Sequence, residues 1–215
     1  MIRVVLLDDE PLVRAGLRMI LESSGTAEVV AEDSDGTRAV ELVQAHRPDV
    51  LLTDIRMPVV DGLEVTRRVR ALASPPEVLV LTTFDLEEYV YLALQAGAAG
   101  FLLKDAPPHE IARAVEIVAK GEAILAPAVT KRLLTRFATG AGSKASEAKG
   151  KLSRLTGRER EVAAAVATGA ANAEIARTLH MSEATVKVHI SRIITKLDLE
   201  NRTQIAILVH QAGEA

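Results

Sequence analysis

The sequence predicts two folds in succession. A five-stranded parallel, doubly wound α/β sheet fills the first half, and an all-α four-helix domain fills the last third. Three observations predict this. Short apolar runs alternate with longer helical patterns up to residue 120, as strands of a parallel sheet do. Residues 152–211 carry helical periodicity alone. Charge divides the same way: residues 1–125 hold 12 Lys+Arg and 21 Asp+Glu, net −9, and residues 126–215 hold 14 and 8, net +6.

The first half reads βαβαβαβαβα. Strands are predicted near Ile2–Leu7, Ala27–Ala31, Asp49–Thr53, Glu77–Leu81 and Gly100–Leu103. Helices are predicted near Pro11–Glu22, Gly36–Ala45, Gly62–Leu72, Leu86–Ala96 and Pro107–Lys120. Pro11 and Pro107 suit a first helical turn, where a missing N–H leaves nothing unpaired. Asp85 with Glu88 forms an N-cap and N3 pair, and Gly97 ends its helix as a left-handed cap. Right-handed crossovers fold these units into three layers. The predicted domain spans residues 1–121.

Residues 122–151 read as a linker with a short helix near Pro127–Phe137. The small and polar residues from Thr139 to Gly150 have no apolar period and read as flexible chain. The last domain, 152–215, opens with Thr156 and Glu159 as a capping box. Gly169 breaks the first helix, and Asn172 starts a second that ends near Leu179. His180–Ser182 form a tight turn, and Ser182 caps a third helix, Glu183–Leu197. Asn201 with Gln204 caps a fourth. Two short helices about three residues apart have the spacing of a helix-turn-helix.

Composition narrows the class. Apolar residues make up 48% and aromatics 2%, so the cores are aliphatic. No run approaches the ~20 apolar residues of a membrane span, and the N-terminus lacks a signal-peptide layout. With no cysteine there is no disulfide framework or thiolate chemistry. A cytoplasmic location is expected. An acidic half joined to a basic half suggests that the second faces a polyanion.

The strand ends carry the chemistry. Ligands of open parallel sheets bind at the strands' carboxyl ends, where this sequence places Asp8 and Asp9, Asp54, Thr82 and Lys104. Two adjacent carboxylates repel each other unless a cation sits between them. Mg²⁺ fits, since it takes oxygen ligands and bridges one or two carboxylates to a phosphoryl oxygen. Asp54 is the best nucleophile of the set, because aspartyl-phosphate chemistry belongs to this residue type. Lys104 would meet phosphoryl oxygens as a point charge, and Thr82 would hydrogen-bond the modified aspartate.

Leu7-Asp8-Asp9-Glu10, Asp54 within Leu52–Pro58, Asp61-Gly62, Thr82 and Lys104-Asp105 resemble the receiver domains of two-component response regulators over residues 2–120. The resemblance implies a flavodoxin-like fold and phosphorylation of Asp54 by a histidine kinase. It implies Mg²⁺ on Asp8, Asp9 and Asp54, with the backbone carbonyl of Arg56. Thr82 and Phe101 fall where that family places its switch pair. Phe101 lacks the hydroxyl of the tyrosine found in many members, so a ring hydrogen bond is not available to it.

On the third helix of the last domain, steps of about 100° per residue put Ala184, Lys187, Val188, Ser191 and Thr195 in one sector. Val186, Ile190, Ile193 and Leu197 fall opposite, as a core stripe. The first face has small side chains and one cation and is flanked by Arg192. It suits a major groove, where a valine meets a thymine methyl. Leu155–Val162, Gly169, Glu174–Ala176, Leu179, Ser182, Thr185–Ile190 and Lys196-Leu197 resemble LuxR-type DNA-binding domains. That implies a third helix that reads the groove through Thr185, Lys187, Val188, Ser191 and Arg192, and a last helix that often forms a dimer contact. Together the halves resemble NarL/FixJ-family response regulators.

The implied function is a phosphorylation-switched transcription factor. Its partners would be a histidine kinase, a double-stranded DNA operator, a second copy on activation, and RNA polymerase. It is not expected to be an enzyme beyond its own phosphotransfer and slow dephosphorylation. A haloacid-dehalogenase-type phosphohydrolase would need a second Asp where Arg56 stands. A DNA-binding protein whose receiver works without phosphate is the third reading. Within the favoured one, the unphosphorylated receiver either leaves the chain monomeric or masks the recognition helix.

Overall fold

In a computed structural model, the described residues are 1–23, 25–83, 87–125 and 141–214. The chain divides into two compact units, Met1–Val129 and Thr130–Ala215.

The first unit follows the predicted alternation: β1 Ile2–Leu7, α1 Pro11–Ser23, β2 Ala27–Asp33, α2 Ala39–His46, β3 Val50–Thr53, α3 Gly62–Arg70, β4 Glu77–Thr82, α4 Glu87–Gln95, β5 Gly100–Leu103 and α5 Pro108–Ala119. The strands lie in the order β2-β1-β3-β4-β5 and pair in parallel. Chain order reverses direction at β1, which opens a crevice at the carboxyl ends of β1 and β3. The inner strands β1, β3 and β4 bury both faces. Val4 and Leu6 pack with Leu17, Leu21, Ile111 and Val115 on one side. Val5 and Leu7 pack with Val43, Val65 and Val69 on the other. Alternate residues of a strand point to opposite faces, so a strand covered on both sides reads as one unbroken apolar run.

The structure adds a sixth strand to the expected five. β6, Ile124–Leu125, pairs in parallel with Gly100 and Phe101. Two residues are too few to show any period. Gly97 takes φ 102°, as its capping role requires. The helix predicted near Pro127–Phe137 and the Asp85–Glu88 cap lie outside the described residues or side chains.

The second unit contains α6 Ala141–Leu152, α7 Gly157–Ala167, α8 Asn172–Thr178, α9 Glu183–Leu197 and α10 Arg202–Ala212. The last four are the predicted domain. Helix α6 corrects the reading of 139–150 as flexible linker. Ala148 and Leu152 are buried in a core shared with Val162, Val166, Ile175, Ile190, Ile205 and Val209, and α6 packs against α10. Gly142 and Gly150 depress the helix propensity, and two anchoring side chains make too faint a pattern to read. Tertiary burial outweighs the local preference.

The caps are those expected. Thr156 and Glu159 form both halves of a capping box. Ser182 accepts from Thr185 N and Asn201 from Gln204 N. Between α8 and α9, His180 takes φ 51°. His180 N donates to Arg177 O at 3.3 Å, and Met181 N to Ala176 O at 2.9 Å. These bonds form a Schellman turn, with histidine where glycine is usual. Among the described residues no helix is long and apolar enough to cross a membrane.

Candidate functional site

The register of the sheet sets the crevice. Leu7 pairs with Thr53, Thr53 with Val80, and Thr82 with Leu103. The residues following β1, β3 and β5 are therefore neighbours. Asp54 N donates to Leu7 O at 2.9 Å, and Lys104 N to Thr82 O at 2.9 Å.

The Lys104 ammonium bridges two carboxylates, Asp8 Oδ2 and Asp54 Oδ2, each at 2.8 Å, and reaches Glu10 Oε1 at 3.3 Å. Asp8 and Asp54 are 1% and 4% exposed. Their second oxygens are held as well: Asp8 Oδ1 accepts from Glu10 N at 2.9 Å, and Asp54 Oδ1 from Ile55 N at 2.6 Å. Arg14 pins the Asp8 carbonyl at 2.5 Å. Burial pushes the Asp8 carboxyl above the usual carboxylate range, against the opposing pull of Lys104 and the Glu10 N–H. For Lys104 burial pulls downward, but the hydrogen bonds and charges of Asp54 and Asp8 outweigh it. Lys104 therefore stays cationic in the mouth of the crevice.

Asp8, Asp9, Glu10 and Asp54 each bring a carboxylate oxygen within 4.8 Å of the others. An all-oxygen set of this charge is the donor chemistry of a hard divalent cation. Glu10 is the member that sequence reasoning missed as a site residue, although a third consecutive acid after β1 was its signal. Thr82 and Phe101 are both fully buried, on adjacent strands.

The loop after Asp54 has little freedom. Gly62 N donates to Ile55 O at 2.8 Å, and Val60 N to Pro58 O at 2.7 Å. The second bond closes a three-residue turn over Val59, whose φ is 65°, the rarer and strained form of the γ-turn. Asp61 caps α3 by accepting from Glu64 N. Arg56 is exposed. Its guanidinium donates to Tyr89 Oη at 3.2 Å and stacks 5.5 Å from that ring's centre, tying this loop to α4.

In the second unit, Val186, Ile190, Ile193 and Leu197 of α9 are buried as the stripe required. Thr185, Lys187, Val188, Ser191 and Arg192 are all exposed, and Val188 is one of few large apolar residues so placed, at 48%. Ser182 Oγ holds Thr185 through its N–H and its hydroxyl. Glu159, in the cap of α7, accepts from Lys196 Nζ at 2.8 Å and fixes the far end of α9.

Comparisons with known proteins match both units. Residues 4–116 match the response regulator receiver domain, and residues 153–209 match the luxR family of bacterial regulatory proteins. The transcriptional regulatory protein LiaR of Bacillus subtilis (strain 168) is 39% identical over 212 residues, 98% of either chain. The nitrate/nitrite response regulator protein NarL of Escherichia coli (strain K12) is 34% identical over 208 residues, 97% of this chain and 94% of that one. Among solved structures, the response regulator ChrA of a heme-sensing two-component system is 40% identical, with a TM-score of 0.54, over all of this chain and 98% of its own.

Proposed function

This chain belongs to the NarL/FixJ family of two-component response regulators, with a receiver and a LuxR-type DNA-binding domain, and from that premise we propose that phosphorylation of Asp54 controls its DNA binding. The observation that carries this reading is Lys104, held by Asp8 and Asp54 at equal 2.8 Å distances. The pair needs a cation, and a phosphoryl group on Asp54 Oδ2 inherits the same ammonium.

Asp8, Asp9 and Asp54, with the backbone carbonyl of Arg56, would hold Mg²⁺; Glu10 adds a further oxygen to the same cluster. The bound cation would screen the charge of the attacking carboxylate and its phosphodonor. Asp54 Oδ1 is held by the Ile55 N–H, which leaves Oδ2 to attack phosphorus in line. The donor is a histidine kinase's phosphohistidine, whose imidazole departs. Lys104 then turns from Asp54 to the phosphoryl oxygens. Thr82 lies at the end of β4 beside β5, and its hydroxyl would move toward the phosphoryl group while the Phe101 ring stays inward. The receiver performs only this transfer and the slow hydrolysis that reverses it.

Thr185, Lys187, Val188, Ser191 and Arg192 form the proposed groove face of α9. Lys187 reads a base edge and Val188 a thymine methyl. The proposed working domains are residues 1–121 and 141–215, the second lengthened by α6 beyond the 152–215 expected from the sequence. Phosphorylation favours a homodimer, because one helix-turn-helix reads one half-site and two must be held together to span a repeat. Contact with RNA polymerase would follow at a promoter. Labelling with acetyl phosphate in the presence and absence of Mg²⁺, with mass spectrometry of the product, tests the receiver step. Label that persists in Asp54→Ala contradicts it.

A further inference from the structure

Three hydrogen bonds close a ring after β1. Asp8 Oδ1 accepts from Glu10 N at 2.9 Å. Glu10 O accepts from Arg14 N at 2.9 Å, a bond that opens α1. The Arg14 side chain then returns from α1, and its Nη1 donates to Asp8 O at 2.5 Å. Arg14 is half-buried. Among the described residues its guanidinium makes this hydrogen bond and no ion pair, although Asp8, Asp9 and Glu10 all lie in the ring.

The ring encloses Asp9. Asp9 is exposed, and among the described residues its carboxylate has no hydrogen bond or ion pair. It still brings an oxygen within 4.8 Å of those of Asp8, Glu10 and Asp54. A peptide unit is planar, so a bond to its oxygen or its N–H orients the whole unit. Arg14 orients the unit between Asp8 and Asp9 through its carbonyl. Asp8 Oδ1 orients the unit between Asp9 and Glu10 through its N–H. With both flanking units held, the φ and ψ of Asp9 are set and only its side-chain torsions stay free. Of the two holds, that of Arg14 comes from outside the carboxylate cluster, so it does not compete with a cation for oxygens.

We propose that Arg14 is a positioning residue for the cation site: by holding the Asp8 carbonyl it presents the Asp9 carboxylate to a divalent cation. The inference rests on the Mg²⁺ reading above. Charge and position make opposite demands of Arg14. A guanidinium beside the site repels an incoming cation, so on charge alone its removal tightens Mg²⁺ binding. On position its removal weakens binding, because the cation must then order the Asp9 backbone itself. Arg18 provides the comparison. It lies four residues further along α1 and pairs outside the ring, with Glu22 at 3.4 Å and Glu32 at 3.2 Å.

The test titrates the full chain with Mg²⁺ in a calorimeter, and measures acetyl phosphate labelling over a Mg²⁺ series. Arg14→Ala is expected to raise the Mg²⁺ dissociation constant about tenfold, the cost of ordering one residue's backbone. The half-saturating Mg²⁺ concentration for labelling is expected to rise with it, and the limiting rate to change less. Arg14→Met keeps the aliphatic stem without a donor and is expected to match Arg14→Ala. Arg14→Lys keeps a donor and is expected to recover most of the affinity. Arg18→Ala is expected not to weaken binding. Circular dichroism checks that the variants fold. Unchanged or tightened Mg²⁺ binding in both neutral Arg14 variants overturns the proposal, as does equal weakening in Arg14→Ala and Arg18→Ala. A wild-type protein that does not bind Mg²⁺ overturns the cation-site reading itself, and is distinguished by failing before any variant is compared.

Discussion

Gly62 lies directly against the backbone carbonyl of Asp54. A Cβ at position 62 would fall inside the van der Waals shell of that oxygen, 2.9 Å from its carbon and 3.1 Å from Ile55 Cα. Atoms of the backbone cannot swing aside as a side-chain tip can. The glycine at the start of α3 is thus part of the seat of Asp54, the proposed phosphoacceptor.

Gly62→Ala is therefore predicted to move the Asp54 segment and to destabilise the first unit by about 1–3 kcal/mol, the usual penalty of overpacking. Urea unfolding measures the loss. Acetyl phosphate labelling of the folded variant is expected to slow as well, and unchanged stability would contradict the close approach.

Asp8 holds a carboxylate that burial disfavours. A carboxyl raised in the folded state contributes fully below its unfolded value of 3.8 and loses that contribution as pH rises through the folded value. At neutral pH without a divalent cation, Asp8→Asn is predicted to raise the melting temperature, since the amide keeps an acceptor for the Glu10 N–H. Added Mg²⁺ is predicted to stabilise wild type more than the variant. Thermal scans with and without Mg²⁺ check both. A wild type indifferent to Mg²⁺ would remove the metal site.

Glu159 behaves in the opposite way. The hydrogen bond from Lys196 and that from the Thr156 N–H hold its carboxyl at about 2, below the ordinary 4.5. Its contribution is present above 4.5 and is lost as pH falls toward 2. Glu159→Gln is predicted to destabilise the second unit at neutral pH and to lessen its loss of stability over that acid window. Parallel pH–stability profiles for the two proteins would contradict the pair.

His180 occupies a left-handed position that costs a side-chain-bearing residue roughly 1–2 kcal/mol. Glycine removes that strain but adds freedom to the unfolded chain. His180→Gly is predicted to gain up to about 1 kcal/mol in urea unfolding. Destabilisation would mean that the imidazole makes a contribution of its own.

These residues also show what the sequence could carry. Asp8, Asp54, Thr82 and Lys104 were legible because apolar runs locate strand ends, and a parallel sheet brings strand ends together. The buried stripe of α9 was legible because four aliphatic residues recur at helical spacing. Helix α6 was not, because Ala148 and Leu152 gain their burial from a core supplied by distant helices. The Arg56–Tyr89 contact spans 33 residues and has no local pattern. The tight turn at His180 was legible, but its left-handed backbone was not, because no glycine marked it.

The most direct test of the central claim compares full-length wild type with Asp54→Ala on a duplex selected by the phosphorylated protein from a random pool. Affinity is measured before and after treatment with acetyl phosphate and Mg²⁺. The account predicts that treatment tightens wild-type binding together with a rise in sedimenting mass, and leaves Asp54→Ala unchanged in both. Equal affinity of wild type before and after a confirmed modification of Asp54 would contradict it.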